Sequence, residues 1–116
     1  MSVYKIFHNP RCSKSRQALQ LLKDNNCKIE IISYLEINLE VSVIEDILKK
    51  LALKPRDILR KGEQEYKDNN LKKDNISEED LINYMIKYPK LIERPIVVKG
   101  DKAVIGRPPE NVLELI

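Results

Sequence analysis

The run H-N-P-R-C-S-K-S-R, residues 8–16, carries the side chains best suited to chemistry in this chain. Cys12 follows an Asn9-Pro10 turn signal and precedes hydroxyl and basic residues. At the start of a helix, free backbone N–H groups and nearby cations lower a cysteine pKa from about 8.5 by one or more units. We therefore predict that Cys12 is a nucleophilic thiolate. The alternative is a small buried residue without a chemical role.

The residues around Cys12 exclude several reactions. A dithiol motif C-x-x-C is absent, because Ser, Lys and Ser follow Cys12, and the phosphatase pattern fails because the sixth residue after it is Ala18. His8, Cys12 and Cys27 do not match common zinc spacings, and no phosphate-binding P-loop motif occurs. The remaining reading is a single thiolate that needs a thiol from another molecule to complete a redox cycle.

Cys27 does not obviously supply that second thiol. It follows the predicted first helix, at the opposite end from Cys12 and about 20 Å away at 1.5 Å per residue. We predict a structural role for Cys27.

Three arginines are placed where they could bind an anion. Arg60 ends the apolar segment D-I-L, Arg94 precedes a proline at the start of a strand, and Arg107 precedes a proline at the end of one. The planar guanidinium group binds tetrahedral oxyanions in a bidentate manner, which would also offset the repulsion between the anion and a thiolate. Taken singly, each could instead be a solvated surface residue.

The apolar pattern predicts the elements that position these residues. A strand over 3–7 is followed by a helix from Ser13 or Ser15 to Lys23 and by a second strand over 28–34. The middle of the chain is helical, with predicted capping boxes at 42–45 and 77–80, a short helical piece from Lys54 and a charged loop over 68–75.

The last quarter returns to strands. Residues 96–98 and 103–105 flank a Gly100-Asp101 turn, and Pro108-Pro109 starts a C-terminal helix that we predict to direct Val112, Leu113 and Ile116 inward. This order predicts an α/β protein with a thioredoxin-like, four-stranded mixed sheet. We expect one domain over residues 1–116, with a helical insertion at about 40–90 between strands 2 and 3.

Composition excludes other classes. The 21 Lys and Arg against 18 Asp and Glu give only +3, and the basic residues are dispersed, which argues against nucleic acid. No apolar run reaches the roughly 18 residues needed to cross a bilayer. Lys5 and His8 interrupt the first ten residues too early for the apolar core of a signal peptide, so we expect a cytoplasmic protein without a membrane partner.

Four motifs together resemble the ArsC family, the glutaredoxin-coupled arsenate reductases and their short-form relatives. They are H-N-P-R-C-S-K-S-R (8–16), L-R-K (59–61), E-R-P-I-V-V (93–98) and I-G-R-P-P-E (105–110). The resemblance implies that Cys12 attacks arsenate, or a similar oxyanion, held by Arg60, Arg94 and Arg107. Glutathione, as co-substrate, then attacks the thiol-bound arsenic, and glutaredoxin takes up the glutathionyl group. No metal and no tightly bound cofactor are implied.

The resemblance also implies supporting residues. His8 and Ser15 match motif positions that would tune or hydrogen-bond the thiolate, and Pro95 would be the cis proline facing the catalytic turn. The variant R-C-S-K-S places the chain nearer a short-form branch of the family.

Two other functions remain open. One is a glutaredoxin-like thiol transferase whose arginines bind the carboxylates of glutathione. The other is an Spx-like regulator that binds RNA polymerase without catalysis, although such regulators often carry a C-x-x-C motif at this turn.

Overall fold

The computed structural model describes residues 3–116, which form two compact units. The first unit comprises the described residues up to Ile37 together with Arg94–Ile116, and the second comprises Asn38–Glu93. The helices and strands, in chain order, are β1 (Val3–Phe7), α1 (Ser13–Asp24), β2 (Lys28–Ile32), α2 (Val41–Leu51), α3 (Gln64–Asp68), α4 (Glu78–Lys87), β3 (Ile96–Lys99) and β4 (Lys102–Ile105), with 3₁₀ helices at Pro55–Ile58, Pro89–Leu91 and Pro109–Leu115.

The first unit contains the four-stranded mixed sheet that the sequence predicts. Within the described residues its strand order is β2-β1-β3-β4, with β1 parallel to β2 and antiparallel to β3, and with β3 antiparallel to β4. The predicted α/β class and the helical insertion between β2 and β3 are confirmed. Because β1 and β3 are antiparallel, the carboxyl end of β1 meets the amino end of β3, where Phe7 pairs with Ile96.

The core of the first unit lies between this sheet and α1. Tyr4 and Ile6 alternate along β1 toward this face, as the period of two in a strand requires. On α1 the buried residues Ala18 and Leu22 are spaced by four and form one stripe. Burial of this stripe fixes which face of α1 packs against the sheet.

The C-terminal segment corrects one prediction. Val112 is fully buried as predicted, but Leu113 and Ile116 are exposed. The segment is a 3₁₀ helix with about three residues per turn, so the residues that face inward are Pro109, Val112 and Leu115.

The second unit is helical. The predicted cap at Ser77 is confirmed, because its side chain accepts a hydrogen bond from the amide of Asp80. The cap predicted at Ser42 is wrong: the N-cap of α2 lies two residues earlier, at Glu40, and the helix begins at Val41. No helix within residues 3–116 combines the length and the apolar character needed to span a membrane.

Candidate functional site

The turn between β1 and α1 is held by its own polar groups. The backbone carbonyl of Asn9 accepts a hydrogen bond from the Cys12 amide at 3.0 Å, and its side-chain oxygen accepts one from the Arg11 amide at 3.0 Å. Arg16 reaches back from α1 and donates to the Pro10 carbonyl at 2.8 Å. These bonds place Cys12 at the N-cap of α1, in an extended backbone conformation.

The environment of Cys12 favours its thiolate. Burial raises the pKa of the thiol, but the Ser15 amide, the Arg94 guanidinium and the Lys14 amide lower it by more, so the pKa lies below its ordinary value. The side chain makes no regular N-cap hydrogen bond, yet the two amides of the first helical turn are near enough to stabilise a negative sulfur. The amides at the start of α1 and the guanidinium of Arg94 therefore both stabilise the negative charge on the Cys12 sulfur.

Arg94 is the cation that contacts the thiol. Its guanidinium lowers the pKa of Cys12 both as a hydrogen-bond donor and through its positive charge. Its Nε is buried and has no hydrogen-bond partner among residues 3–116. A buried guanidinium N–H without an acceptor is costly, so this donor suits an incoming oxygen atom.

The sheet register sets Arg107 beside Arg94. Ile96 of β3 pairs with Ile105 of β4, and beyond this pair the Gly106 amide donates to the Pro95 carbonyl at 2.8 Å. Arg94, which precedes β3, and Arg107, which follows β4, therefore lie at the same end of two neighbouring strands. Both are followed by proline in a cis peptide bond, Arg94-Pro95 and Arg107-Pro108. The Arg107 side chain is exposed.

Gly106 lets these two segments approach each other closely. A Cβ at this position would lie 2.8 Å from Cγ of Pro95, 3.4 Å from the Cβ of Ala18 and 3.4 Å from Cγ1 of Val112. The absence of a side chain at Gly106 thus allows the Arg94-Pro95 segment to pack against α1.

Ser15 connects His8 to the site. Its side chain is fully buried, and its Oγ lies 2.6 Å from Nδ1 of His8 and accepts a hydrogen bond from the Asn9 amide at 3.1 Å. The His8 amide donates to the Ile32 carbonyl at 2.9 Å, which anchors the histidine to β2. The hydroxyl of Ser15 therefore binds the strand end while its amide acts on Cys12.

The imidazole of His8 is held in a setting that disfavours its charged form. Burial lowers the pKa of His8, and the positive charges of Arg16 and Lys23 lower it further. A neutral ring at pH 7 cannot stabilise the thiolate as a cation. The sequence places His8 near the thiol, and the structure connects it to Cys12 through Ser15.

Arg60 lies in the second unit and is paired with carboxylates. Its Nε is 3.4 Å from Oε2 of Glu63, and its Nη1 is 3.7 Å from Oε2 of Glu93. The backbone around it is fixed by a bridge between Leu59 and Ile92 and by a hydrogen bond from the Arg60 amide to the Leu91 carbonyl at 2.7 Å. Arg60 is thus well positioned within its own unit, and its role in anion binding stays a prediction.

Cys27 is a free thiol, as is Cys12. It is partly buried and packs against the core of the first unit. Within residues 3–116 no group of three or more His, Cys, Asp or Glu side chains is arranged to hold a metal ion.

The direct contact between Arg94 and Cys12 is the feature that sequence reasoning missed. The neighbours Arg11, Lys14 and Arg16 suggested local cations, but Arg16 binds the Pro10 carbonyl and Lys14 acts through its amide. A contact between residues 82 positions apart depends on the pairing of β1 with β3. In the sequence, the one feature that pointed to Arg94 was the proline that follows it at the start of a strand.

Comparison with known proteins agrees with this fold. Residues 7–115 match the model of the ArsC family. The chain is 42% identical to the arsenate reductase of Neisseria meningitidis over 97% of both chains, and 50% identical to the uncharacterized protein YfgD of Escherichia coli K12, over 97% of this chain and 95% of that one. The structure of an arsenate reductase from Vibrio cholerae superposes with a TM-score of 0.96 at 41% identity and covers 99% of this chain and 98% of that one.

The sheet, the helical insertion and the cysteine at the helix start thus define a thioredoxin-like protein. The chain belongs to the ArsC family.

Proposed function

We propose that this chain is an arsenate reductase that uses the Cys12 thiolate as nucleophile and glutathione with glutaredoxin as the source of electrons. The observation that carries the proposal is the position of the Cys12 thiol, which lies at the start of α1 in hydrogen-bond contact with Arg94 and has a lowered pKa. Relatives and a structural neighbour that bear the name arsenate reductase support the same substrate.

The first step is displacement at arsenic. The thiolate sulfur attacks As(V), a sulfur–arsenic bond forms, and an arsenic–oxygen bond breaks with release of hydroxide, which takes a proton from solvent. The anion brings negative charge to a thiolate, so cations must lie at the site before the bond forms. Arg94 meets this need, because it faces the sulfur and has a buried Nε without an acceptor among the described residues.

The following steps need two external thiols. Glutathione displaces a second oxygen and binds the arsenic as a thiolate. Glutaredoxin then attacks the glutathione sulfur. A mixed disulfide forms, the bond between the glutathione sulfur and arsenic breaks, and the electron pair of that bond stays on arsenic, giving As(III). Hydrolysis of the remaining sulfur–arsenic bond releases arsenite and restores Cys12. An external donor fits the absence of a second cysteine in the motif that carries Cys12.

The remaining assignments belong to the same proposal. Arg107 binds the anion from the strand next to Arg94, and Arg60 contributes as the family motif implies. His8 and Ser15 hold the end of β1 against the start of α1, which fixes the amide that faces the sulfur. The reaction takes place in the cytoplasm, where glutathione and glutaredoxin are reduced.

A coupled assay tests the proposal. Arsenate should drive NADPH consumption in the presence of glutathione, glutathione reductase and glutaredoxin, and Cys12→Ser should abolish it while Cys27→Ser retains it. No arsenate-dependent rate at millimolar arsenate would contradict the proposal. Reduction of a mixed disulfide with glutathione, without any response to arsenate, would support a thiol transferase instead.

A further inference from the structure

Among residues 3–116, the edge strand β2 carries unpaired backbone groups in a defined pattern. The Ile32 carbonyl accepts a hydrogen bond from the His8 amide, so Ile32 directs its polar backbone groups toward β1. Successive residues of a strand point these groups to opposite sides. The N–H and C=O groups of Ile29 and Ile31 therefore point away from the sheet, at the end of the strand order β2-β1-β3-β4.

The side chains of this edge alternate between apolar and charged. Ile29 packs against the core of the first unit, and Ile31 lies on the same face with 49% of its surface exposed. Lys28 and Glu30 are exposed on the other face. In the register of the sheet, Glu30 lies beside Lys5 of β1.

We propose that β2 is the interface of a symmetric homodimer, in which the β2 strands of two copies pair antiparallel about a twofold axis through Ile29. Ile29 then forms the central hydrogen-bonded pair with itself. Lys28 of each copy lies opposite Glu30 of the other, in the closely spaced pairs without hydrogen bonds. On one face of the joined sheets, Glu30 of each copy then lies between Lys5 of the same copy and Lys28 of the other copy. Each Glu30 therefore has a cation on both sides.

The charges select this register over the others. A twofold axis through Lys28 or through Glu30 would place each of these residues opposite its own copy, so like charges would face each other. An axis through Ile31 would pair Glu30 with Ile32 and leave Lys28 and Glu30 without an opposite charge. The register about Ile29 also covers Ile31, which comes to lie against Cys27 of the second copy. An exposed strand edge with unpaired N–H and C=O groups is a template for pairing, and closed twofold pairing covers it without open-ended growth.

The opposite edge of the sheet lacks this complementarity. On β4 the only charged residue is Lys102, so no self-paired register of Lys102–Ile105 gives opposite charges across the interface. Association of two copies should therefore depend on the charges of β2 and not on that of Lys102. The dimer does not depend on the proposed arsenate reduction.

Sedimentation velocity over a concentration series up to millimolar protein tests the dimer. The unmodified chain should form a dimer, and Glu30→Lys and Lys28→Glu should each weaken it by at least about tenfold in dissociation constant, because both symmetry-related pairs become repulsive. The double variant that exchanges the two charges should recover the dimer. Lys102→Glu is the matched control and should leave association unchanged.

Hydrogen exchange gives a second measurement on the same samples. The amides of Ile29 and Ile31 should become protected as the concentration rises, whereas those of β4 should not. Circular dichroism identifies a variant that fails to fold. If Glu30→Lys unfolds because the new lysine repels Lys5 in the same sheet, Lys28→Glu provides the test of the charge pairs. A monomer at all concentrations or assemblies larger than a dimer would overturn the proposal. So would a dimer that both charge reversals leave unchanged, or one that both reversals weaken and the double variant does not recover.

Discussion

Nδ1 of His8 lies 2.6 Å from Oγ of Ser15, and the backbone amide of the same serine lowers the pKa of Cys12. One residue therefore joins the end of β1 to the thiol through two different groups. The side chain provides rigidity and the amide provides electrostatic stabilisation, so the two contributions can be separated by mutation.

Ser15→Ala removes the hydroxyl and keeps the amide. The Asn9 amide and the His8 ring lose their partner in a buried position, so the free energy of unfolding should fall by about 1–3 kcal/mol. The pKa of Cys12 should stay below its ordinary value, because the amide of residue 15 and Arg94 remain. Urea unfolding and thiol titration measure the two effects. Ser13→Ala, at an exposed position of the same helix, should change neither.

The stability of the protein should depend on pH through His8. The folded-state pKa of His8 lies below the unfolded value of about 6.5, so the unfolded chain binds a proton that the folded chain excludes. Stability should therefore fall as the pH drops below about 6.5 and level off below the folded-state pKa. Denaturant unfolding between neutral and mildly acidic pH measures this slope. His8→Gln should reduce it, and an unchanged slope in this variant would assign the dependence to other groups.

Arg94 and Arg107 should differ in their effect on the thiol. Arg94→Met should raise the pKa of Cys12, because it removes both the hydrogen bond and the positive charge at the sulfur. Arg107→Met should leave that pKa unchanged. Both should lower arsenate turnover by about tenfold or more, since a hydrogen bond to a charged group contributes roughly 1.5–3 kcal/mol. The pH dependence of alkylation and the coupled assay supply the two measurements.

Lysine at either position tests the shape of the cation. Arg94→Lys and Arg107→Lys retain the charge but lose the planar fork that binds two oxygens, so arsenate turnover should fall in both. Full activity of either variant would show that its arginine does not hold the oxyanion in a bidentate manner.

Gly106→Ala should disturb the site without touching a charged group. The new Cβ would lie 2.8 Å from Pro95, and such overpacking costs about 1–3 kcal/mol. The adjacent Arg94 should shift with Pro95, so turnover should fall together with stability. Gly62→Ala is the control, because no atom lies within 4 Å of its added Cβ. Equal stability of the two variants would contradict the close packing at Gly106.

The sequence predicted the elements of the first unit well because their patterns are local. Alternation identified β2, and the turn signal at Asn9-Pro10 ended β1 and placed Cys12 at the start of α1. The inward face of the C-terminal segment was predicted wrongly, since the sequence did not show that its helix has a 3₁₀ period, which turned Leu113 outward.

The site was harder to predict because its contacts join distant segments. Arg94 was singled out as an anion ligand, but its hydrogen bond to the thiol follows from the packing of the first unit and from no local pattern. The same holds for the contact between His8 and Ser15, which requires α1 to turn its buried face toward the end of β1.

The cap predicted at Ser42 failed because α2 begins without a side-chain capping bond.

The most direct test of an oxyanion site at Cys12 is the rate at which iodoacetamide alkylates this thiol, followed by mass spectrometry with and without arsenate. Cys27 is a free thiol of the same chain and serves as the internal control. We expect Cys12 to react with a midpoint below the ordinary thiol pKa of about 8.5 and to be protected by arsenate, with the protection lost in Arg94→Lys. Alkylation of Cys12 at the same rate with and without millimolar arsenate would contradict the account.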